Sequence, residues 1–382
     1  MMTAESSIVA VTVPNRVLII LLGAIGDVVR ALPLLGRLRR AWPRAHIAWA
    51  VEPKSSPIIE GHPWLDELII YDRRHAPWSF VPFLQSVHRG RFDMVIDLQR
   101  HLKSGIIGMA GASDRIGFAA ANTKELNHRF TTRQIEVQPN LRLKLMQYQA
   151  FADALGIPPA PIEFGLSLPH DEDLGARAVV AEARRPLVGV ILGSSWPSRI
   201  YFPESVAAVI RELTQTADRS PALFPVLIGG AEDAAIGDAV VRALDGLEVL
   251  NLVGRTRLRD LIGIFSECAV AFGPDSGPMH IAAAVGCPVV SLWGSTAPER
   301  SAPWGNAAFA LHGEIPCHPC YLRDCPIGRE CMRRIAPEQV VAMVRGALTA
   351  RVGAAAAGGT LANCNAGGEL FATIASPAER AG

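Results

Sequence analysis

Strand-length apolar runs alternate with helix-length amphipathic stretches, and the whole alternation occurs twice along the chain. Val17-Leu-Ile-Ile-Leu-Leu22 is apolar at every position, as a strand covered on both faces must be. Asp27 to Ala41 then carries Val28, Leu32, Leu35 and Leu38 at helical spacing, and His46–Val51, Glu67–Tyr71 and Met94–Leu98 read as further strands. After a break the pattern restarts at Leu187–Leu192, Phe224–Ile228, Glu248–Leu252, Ala269–Phe272 and Val289–Trp293. This is the signature of α/β units around parallel sheets, and no short-period solenoid repeat competes with it. The break lies between Gly156 and Arg185: Gly156-Ile-Pro-Pro-Ala-Pro161 is turn chemistry, and the polar run His170–Arg185 reads as a helix entering the second half.

A chain of 382 residues exceeds one ordinary core. The expected organisation is a leader over 1–14, a first domain over 15–165, a second over 166–349 and an Ala/Gly-rich, unpacked tail over 350–382. Hydrophobic residues make up 49% and charged residues 19%, which excludes a highly charged disordered chain. The net charge of +1 gives no support to a nucleic-acid partner, although residues 1–165 hold 19 Lys+Arg against 14 Asp+Glu (+5) and the remainder 18 against 22 (−4). No uninterrupted apolar run is long enough to span a bilayer and no signal peptide pattern opens the chain, so a cytoplasmic location is expected.

Ligands of open parallel sheets bind beyond the carboxyl ends of strands, so the loops there hold the candidates. Gly23-Ala-Ile-Gly26-Asp27 follows the first strand; its two glycines permit a tight turn and close substrate approach, and Asp27 is either a helix cap or a functional carboxylate. Gly193-Ser194-Ser195-Trp-Pro-Ser-Arg199 opens the second half with hydroxyls, exposed amides and a cation, the makings of a phosphate cradle. Glu232, after Gly229-Gly230, is placed to accept from ribose hydroxyls. Asp275-Ser276-Gly277-Pro-Met-His280 opens a small-residue helix whose free amides favour an anion, with His280 on its first turn. Cys317, Cys320, Cys325 and Cys331 supply the ligand count of a structural zinc site held by four thiolates, favoured here over an iron–sulfur cluster.

Together with Asp97-Leu-Gln99, Lys103-Ser104, Arg115-Ile-Gly-Phe118, Asn251-Leu-Val-Gly254 and Gly294-Ser-Thr296, these motifs resemble glycosyltransferase family 9, the heptosyltransferases of the lipopolysaccharide inner core. The resemblance runs from about Arg16 to Val344. It implies a GT-B fold of two facing Rossmann-like domains and inverting transfer of heptose from ADP-heptose to a lipopolysaccharide core precursor. It also implies contact with the inner face of the cytoplasmic membrane and no cofactor required for catalysis. Carried onto this chain, it makes Asp27 the general base. Ser194, Ser195, Arg199, Glu232, Asp275, Ser276, Gly277 and His280 become the donor set, and Gly26, Lys103 and Arg115 the acceptor set. Arg199 stands where the family usually has lysine. The alternatives are a relative with another donor or a non-lipid acceptor, and a non-catalytic nucleotide-sugar-binding protein.

Overall fold

The computed structural model describes residues 13–183, 186–216 and 221–356. By internal contacts the chain divides into two units, Met1–Gly165 and Leu166–Gly382. The first holds β1 (Arg16–Ile20), α1 (Ile25–Ala41), β2 (His46–Val51), β3 (Glu67–Ile70), α2 (Phe80–Arg89), β4 (Met94–Asp97), α3 (Leu102–Gly111), β5 (Asp114–Phe118), β6 (Arg133–Ile135) and α4 (Lys144–Ala154). Its strands form one parallel sheet in the order β3-β2-β1-β4-β5-β6. Parallel neighbours cannot be joined by a tight turn, so each strand leads into a crossover.

The second unit holds α5 (His170–Ala178), β7 (Leu187–Ile191), α6 (Pro203–Leu213), β8 (Phe224–Ile228), α7 (Ala234–Ala243), β9 (Leu250–Asn251), α8 (Leu261–Glu267) and β10 (Cys268–Pro274). These are followed by α9 (Gly277–Ala284), β11 (Val289–Trp293), α10 (Pro298–Ser301), β12 (Ala310–His312), α11 (Glu330–Arg333) and α12 (Pro337–Ala356). Its sheet, also parallel, runs β12-β11-β10-β7-β8-β9. In each sheet the chain first builds outward on one side and then returns to the other. The order therefore reverses between β1 and β4 and between β7 and β10, and loops leaving a reversed pair diverge to open a crevice.

Packing follows the apolar pattern. On one face of the first sheet Leu18, Ile20, Ala48, Ala50 and Val95 pack with Phe83 and Val87 of α2 and Ile107 of α3. Helices α1 and α4 pack on each other, locked by buried Arg37, which donates to Gln149 Oε1 (3.2 Å), Asp153 Oδ1 (2.7 Å) and the Ile157 carbonyl. In the second unit Val188, Val190, Leu227, Phe272 and Val290 pack with Val206, Val209 and Ile210 of α6 and Val340 and Val344 of α12.

Three expectations need correction, and three strands are additional. The edge strand β9 covers only Leu250–Asn251, because Glu248 and Val249 lie outside the ladder. The helix expected to reach Arg185 ends at Ala178. Strands β5, β6 and β12 lie beyond the long apolar runs and mix polar with apolar residues. The expected tail begins too early: α12 continues through Ala356, as alanine favours, and Arg351 Nη1 donates to the carbonyls of Cys268 and Ala269 (both 2.9 Å). Residues 1–12 of the expected leader and 357–382 of the expected tail lie outside the described residues.

Strand β10 approaches β7 so closely at Gly273 that a Cβ there would overlap the Ile191 carbonyl oxygen and lie 2.6 Å from Ile191 Cβ. Both neighbours are strand backbone or buried side chain and cannot swing aside. Gly273→Ala is therefore expected to cost about 1–3 kcal/mol, read as a lower urea midpoint for unfolding.

Candidate active site

Asp27 lies on the first turn of α1, just past the β1 loop, and it does not cap that helix: Ala24 is the cap, with no side-chain bond to it. The carboxylate instead meets Arg30 one turn on and two residues of α4. Its Oδ1 accepts from Arg30 Nη2 (2.6 Å), Lys144 Nζ (2.7 Å) and Tyr148 Oη (3.4 Å). Burial by itself would raise the carboxyl, but the charges of Lys144 and then Arg30, with their hydrogen bonds, outweigh it and hold Asp27 far below the usual carboxylate range. It is ionised at neutral pH. Burial, with the Asp27 charge adding to it, pushes the Tyr148 hydroxyl far up, so that ring stays a neutral donor.

Across the β1/β4 reversal, Gln99 Nε2 donates to the Gly23 carbonyl (3.2 Å), tying the loop after β4 to the loop that presents Gly26 and Asp27. Gln99 is set in turn by Asp97, the last residue of β4, whose Oδ1 accepts from the Gln99 amide (2.9 Å) and whose Oδ2 accepts from Asn127 Nδ2 (2.9 Å). Asp97 is 2% exposed, and burial among these neutral donors raises its carboxyl to about 7 against a reference of 3.8.

Lys103, on the first turn of α3, places Nζ 3.4 Å from Tyr71 Oη and over the Tyr71 ring. Arg115 does not join this group. The register sets it beside Val95, two residues short of Asp97, and its guanidinium donates to the carbonyls of Phe130 (2.6 Å), Ala112 (2.8 Å) and Ser113 (3.1 Å). In the structure Arg115 thus clamps the neighbouring turns.

The second unit repeats the device at the β7/β10 reversal, with Asp275 as its hub. Its Oδ2 accepts from Thr296 Oγ1 (2.7 Å) and lies 3.1 Å from Arg199 Nη1, and its carbonyl accepts from Ser194 Oγ (2.8 Å). One residue thus joins the loops after β7, β10 and β11. The Arg199 guanidinium also lies over the Trp196 ring, 4.1 Å from its centroid. Ser276 is the cap residue of α9; its buried hydroxyl has no hydrogen-bond partner and sits beside the amides of Gly277 and the residues that follow. His280 is buried on the first turns of the same helix, while Ser195 and Glu232 are exposed on their loops. A Cβ on Gly193 would collide with the buried Asp233 carboxylate, which accepts from the Gly230 amide (2.8 Å), so this glycine is required by close approach of the two loops.

The cysteine segment braces this group. Ser198 Oγ donates to the Leu322 carbonyl (2.7 Å), the Ser198 amide to the Arg323 carbonyl, the Tyr321 amide to the Ser295 carbonyl (2.7 Å), and His318 Nδ1 lies 2.6 Å from the Gly294 carbonyl. Cys331 is buried and Cys317 exposed, and among the described residues no three Cys, His, Asp or Glu side chains form a metal-holding group. Burial, and then the neighbouring thiols of Cys325, Cys317 and Cys320, push the Cys331 thiol up.

Arg30, Lys144 and Tyr148 were not expected from the sequence. Arg30 was findable, one helical turn from Asp27. Lys144 and Tyr148 share a face of α4, but nothing local connects them to a carboxylate more than a hundred residues earlier.

Residues 81–330 match the model of glycosyltransferase family 9 (heptosyltransferase). The chain belongs to glycosyltransferase family 9. This family 9 enzyme is 25% identical over 294 residues to the lipopolysaccharide core heptosyltransferase OpsX of Haemophilus influenzae, covering 77% of this chain and 83% of the relative. It is 27% identical over 366 residues to lipopolysaccharide heptosyltransferase 1 of Pseudomonas aeruginosa, covering 88% and 98%. The solved E. coli ADP-heptose lipopolysaccharide heptosyltransferase II superposes with a TM-score of 0.69 at 21% identity, covering 88% of this chain and 99% of that one. The fold is that of the GT-B heptosyltransferases, and the family makes the chain a glycosyltransferase.

The raised carboxyl of Asp97 has a consequence for stability. The folded state holds this proton to about pH 7, while the unfolded chain releases it near 3.8, so the contribution is full below the unfolded value and lost as pH rises toward 7. Urea midpoints measured at pH 5 and pH 8 should therefore decline less in Asp97→Asn than in the parent enzyme.

Proposed function

We propose that this enzyme moves heptose from ADP-heptose to a hydroxyl of the lipopolysaccharide inner core with inversion, without a metal, and with Asp27 as general base. The observation that carries the reading is the ionised, half-buried Asp27 held by Lys144 and Arg30 at a sheet reversal. The names of the relatives supply the sugar, donor and acceptor class. The acceptor oxygen attacks the anomeric carbon from the face opposite ADP, the bond from that carbon to the ADP phosphate oxygen breaks, and the hydroxyl proton passes to Asp27. A carboxylate clamped by two cations is a weak base, so the proton leaves late, once bond formation has made the hydroxyl acidic.

The departing ADP gains negative charge. Arg199, the Ser276 hydroxyl and the amides opening α9 are the groups of the second unit suited to receive it. In this reading Arg199 exchanges its Asp275 contact for phosphate when donor binds, freeing the Asp275 carboxylate for a sugar or ribose hydroxyl. Ser194, Ser195, Glu232 and His280 complete the donor set, with Gly26 and Lys103 on the acceptor. Contact with the membrane is part of the same proposal.

With ADP-heptose and a Kdo-bearing lipid A acceptor, Asp27→Asn should lose about 10²–10⁴ in kcat with little change in the donor KM. Product with retained anomeric configuration, or an Asp27→Asn enzyme of normal turnover, contradicts the mechanism. Arg199→Ala should instead raise the donor KM, and the parent enzyme should keep its rate in excess chelator.

A further inference from the structure

Helix α3 packs on the protein through Ile107 and its glycines. Its small residues face the protein: a Cβ on Gly105 would crowd Phe130 and one on Gly111 would crowd Val95, while Gly108 packs near Ile20 and Arg115. Leu102, Ile106 and Met109, at helical spacing on the opposite side, are exposed. Beyond Lys103 and Ser104 this helix is apolar or glycine, and its outer face is bare where an amphipathic helix would be polar. Beside it, α2 exposes Val81, and Val81, Leu84, Gln85, His88 and Arg89 line a groove of about 410 Å³ together with Ala110 of α3. Trp78, just before α2, is 85% exposed.

Cations outnumber acids around this apolar face. Residues 73–113 contain six Arg and Lys but two Asp, of which Asp97 is buried and Asp93 accepts from the amides of Asn15 and Arg16. The acids that adjoin the face are already engaged: Asp72 with Arg74 and His75, Glu52 with Arg73, and Glu125 with His101. A second copy docking face to face would bring like charges together, which opposes a self-complementary contact. An exposed tryptophan with aliphatic side chains, rimmed by cations, matches the boundary between headgroups and acyl chains of an anionic bilayer.

We propose that the α2–α3 face, with Trp78, Val81, Ile106 and Met109 as its apolar anchors and Arg73, Arg74 and Arg89 at its rim, docks on the surface of an anionic lipid bilayer. This names the surface for the membrane contact in the proposed function, and vesicle binding can be measured without any turnover. The face also continues the site of the first unit, since α3 starts in the loop that Gln99 ties to the Asp27 loop. A lipid-anchored acceptor would be met at the end of α3.

The test is co-sedimentation of the full chain with sucrose-loaded vesicles of phosphatidylglycerol and phosphatidylcholine, or of phosphatidylcholine alone. The chain should pellet with the anionic vesicles and release with salt. Arg89→Ser should weaken binding about fivefold, and Trp78→Ser/Met109→Gln should weaken it at least tenfold with an unchanged circular dichroism spectrum. If the double variant misfolds, Ile106→Ser alone provides the same comparison. Equal pelleting with and without vesicles, or undiminished binding by the folded variants, overturns the proposal. So does a concentration-dependent dimer that Ile106→Ser abolishes. Failure of heptose transfer with intact vesicle binding would instead count against the proposed reaction alone.

Discussion

Parallel pairing is the constraint on which the rest of this structure depends. Because parallel strands must be joined by crossovers, their carboxyl ends and the loops that follow them gather along one edge of each sheet. Reversal of strand order at β1/β4 and at β7/β10 then parts two of those loops. Each unit closes its crevice with a hydrogen bond across the reversal: Gln99 to Gly23 in the first, Ser194 to Asp275 in the second. The same topological device has been given different chemistry, a clamped carboxylate on one side and an arginine with a helix terminus on the other.

Two carboxylates in the first unit show how environment divides labour. Asp27 lies past the end of β1 and Asp97 at the end of β4, strands of the same sheet, the first carboxylate half-buried and the second buried. Beside Lys144 and Arg30 the first is held ionised; among amide and hydroxyl donors the second is held near neutral pH. Burial pushes both upward, and the presence or absence of a nearby cation decides the outcome. In the proposed reaction the first takes the substrate proton, while the second sets the loop beneath it.

Much of the fold was legible because long apolar runs have few alternatives. Val17–Leu22, His46–Val51, Phe224–Ile228 and Val289–Trp293 are strands in the structure to within two residues, since each is buried on both faces and flanked by turn residues. The short mixed strands β6 and β12 were not legible, because pairing to a neighbour, rather than their own composition, makes them strands. The tail was misjudged for a related reason: glycine-bearing, alanine-rich sequence reads as unpacked until the sheet offers the carbonyls of Cys268 and Ala269 to Arg351.

The sequence by itself determined the α/β class, the two-fold repetition of the architecture, the family motifs and the loops in which the candidate residues lie, since these depend on local pattern and order along the chain. Tertiary structure alone decided what those residues touch. It brought Lys144 to Asp27, set Arg115 on the Phe130 turn, joined Arg199 to Asp275, and laid the backbone of the cysteine segment against the Ser198 and Gly294 loops. It also turned the glycines and Ile107 of α3 inward and Leu102, Ile106 and Met109 outward. Each of these rests on contacts between segments far apart in the chain, which no local spacing encodes.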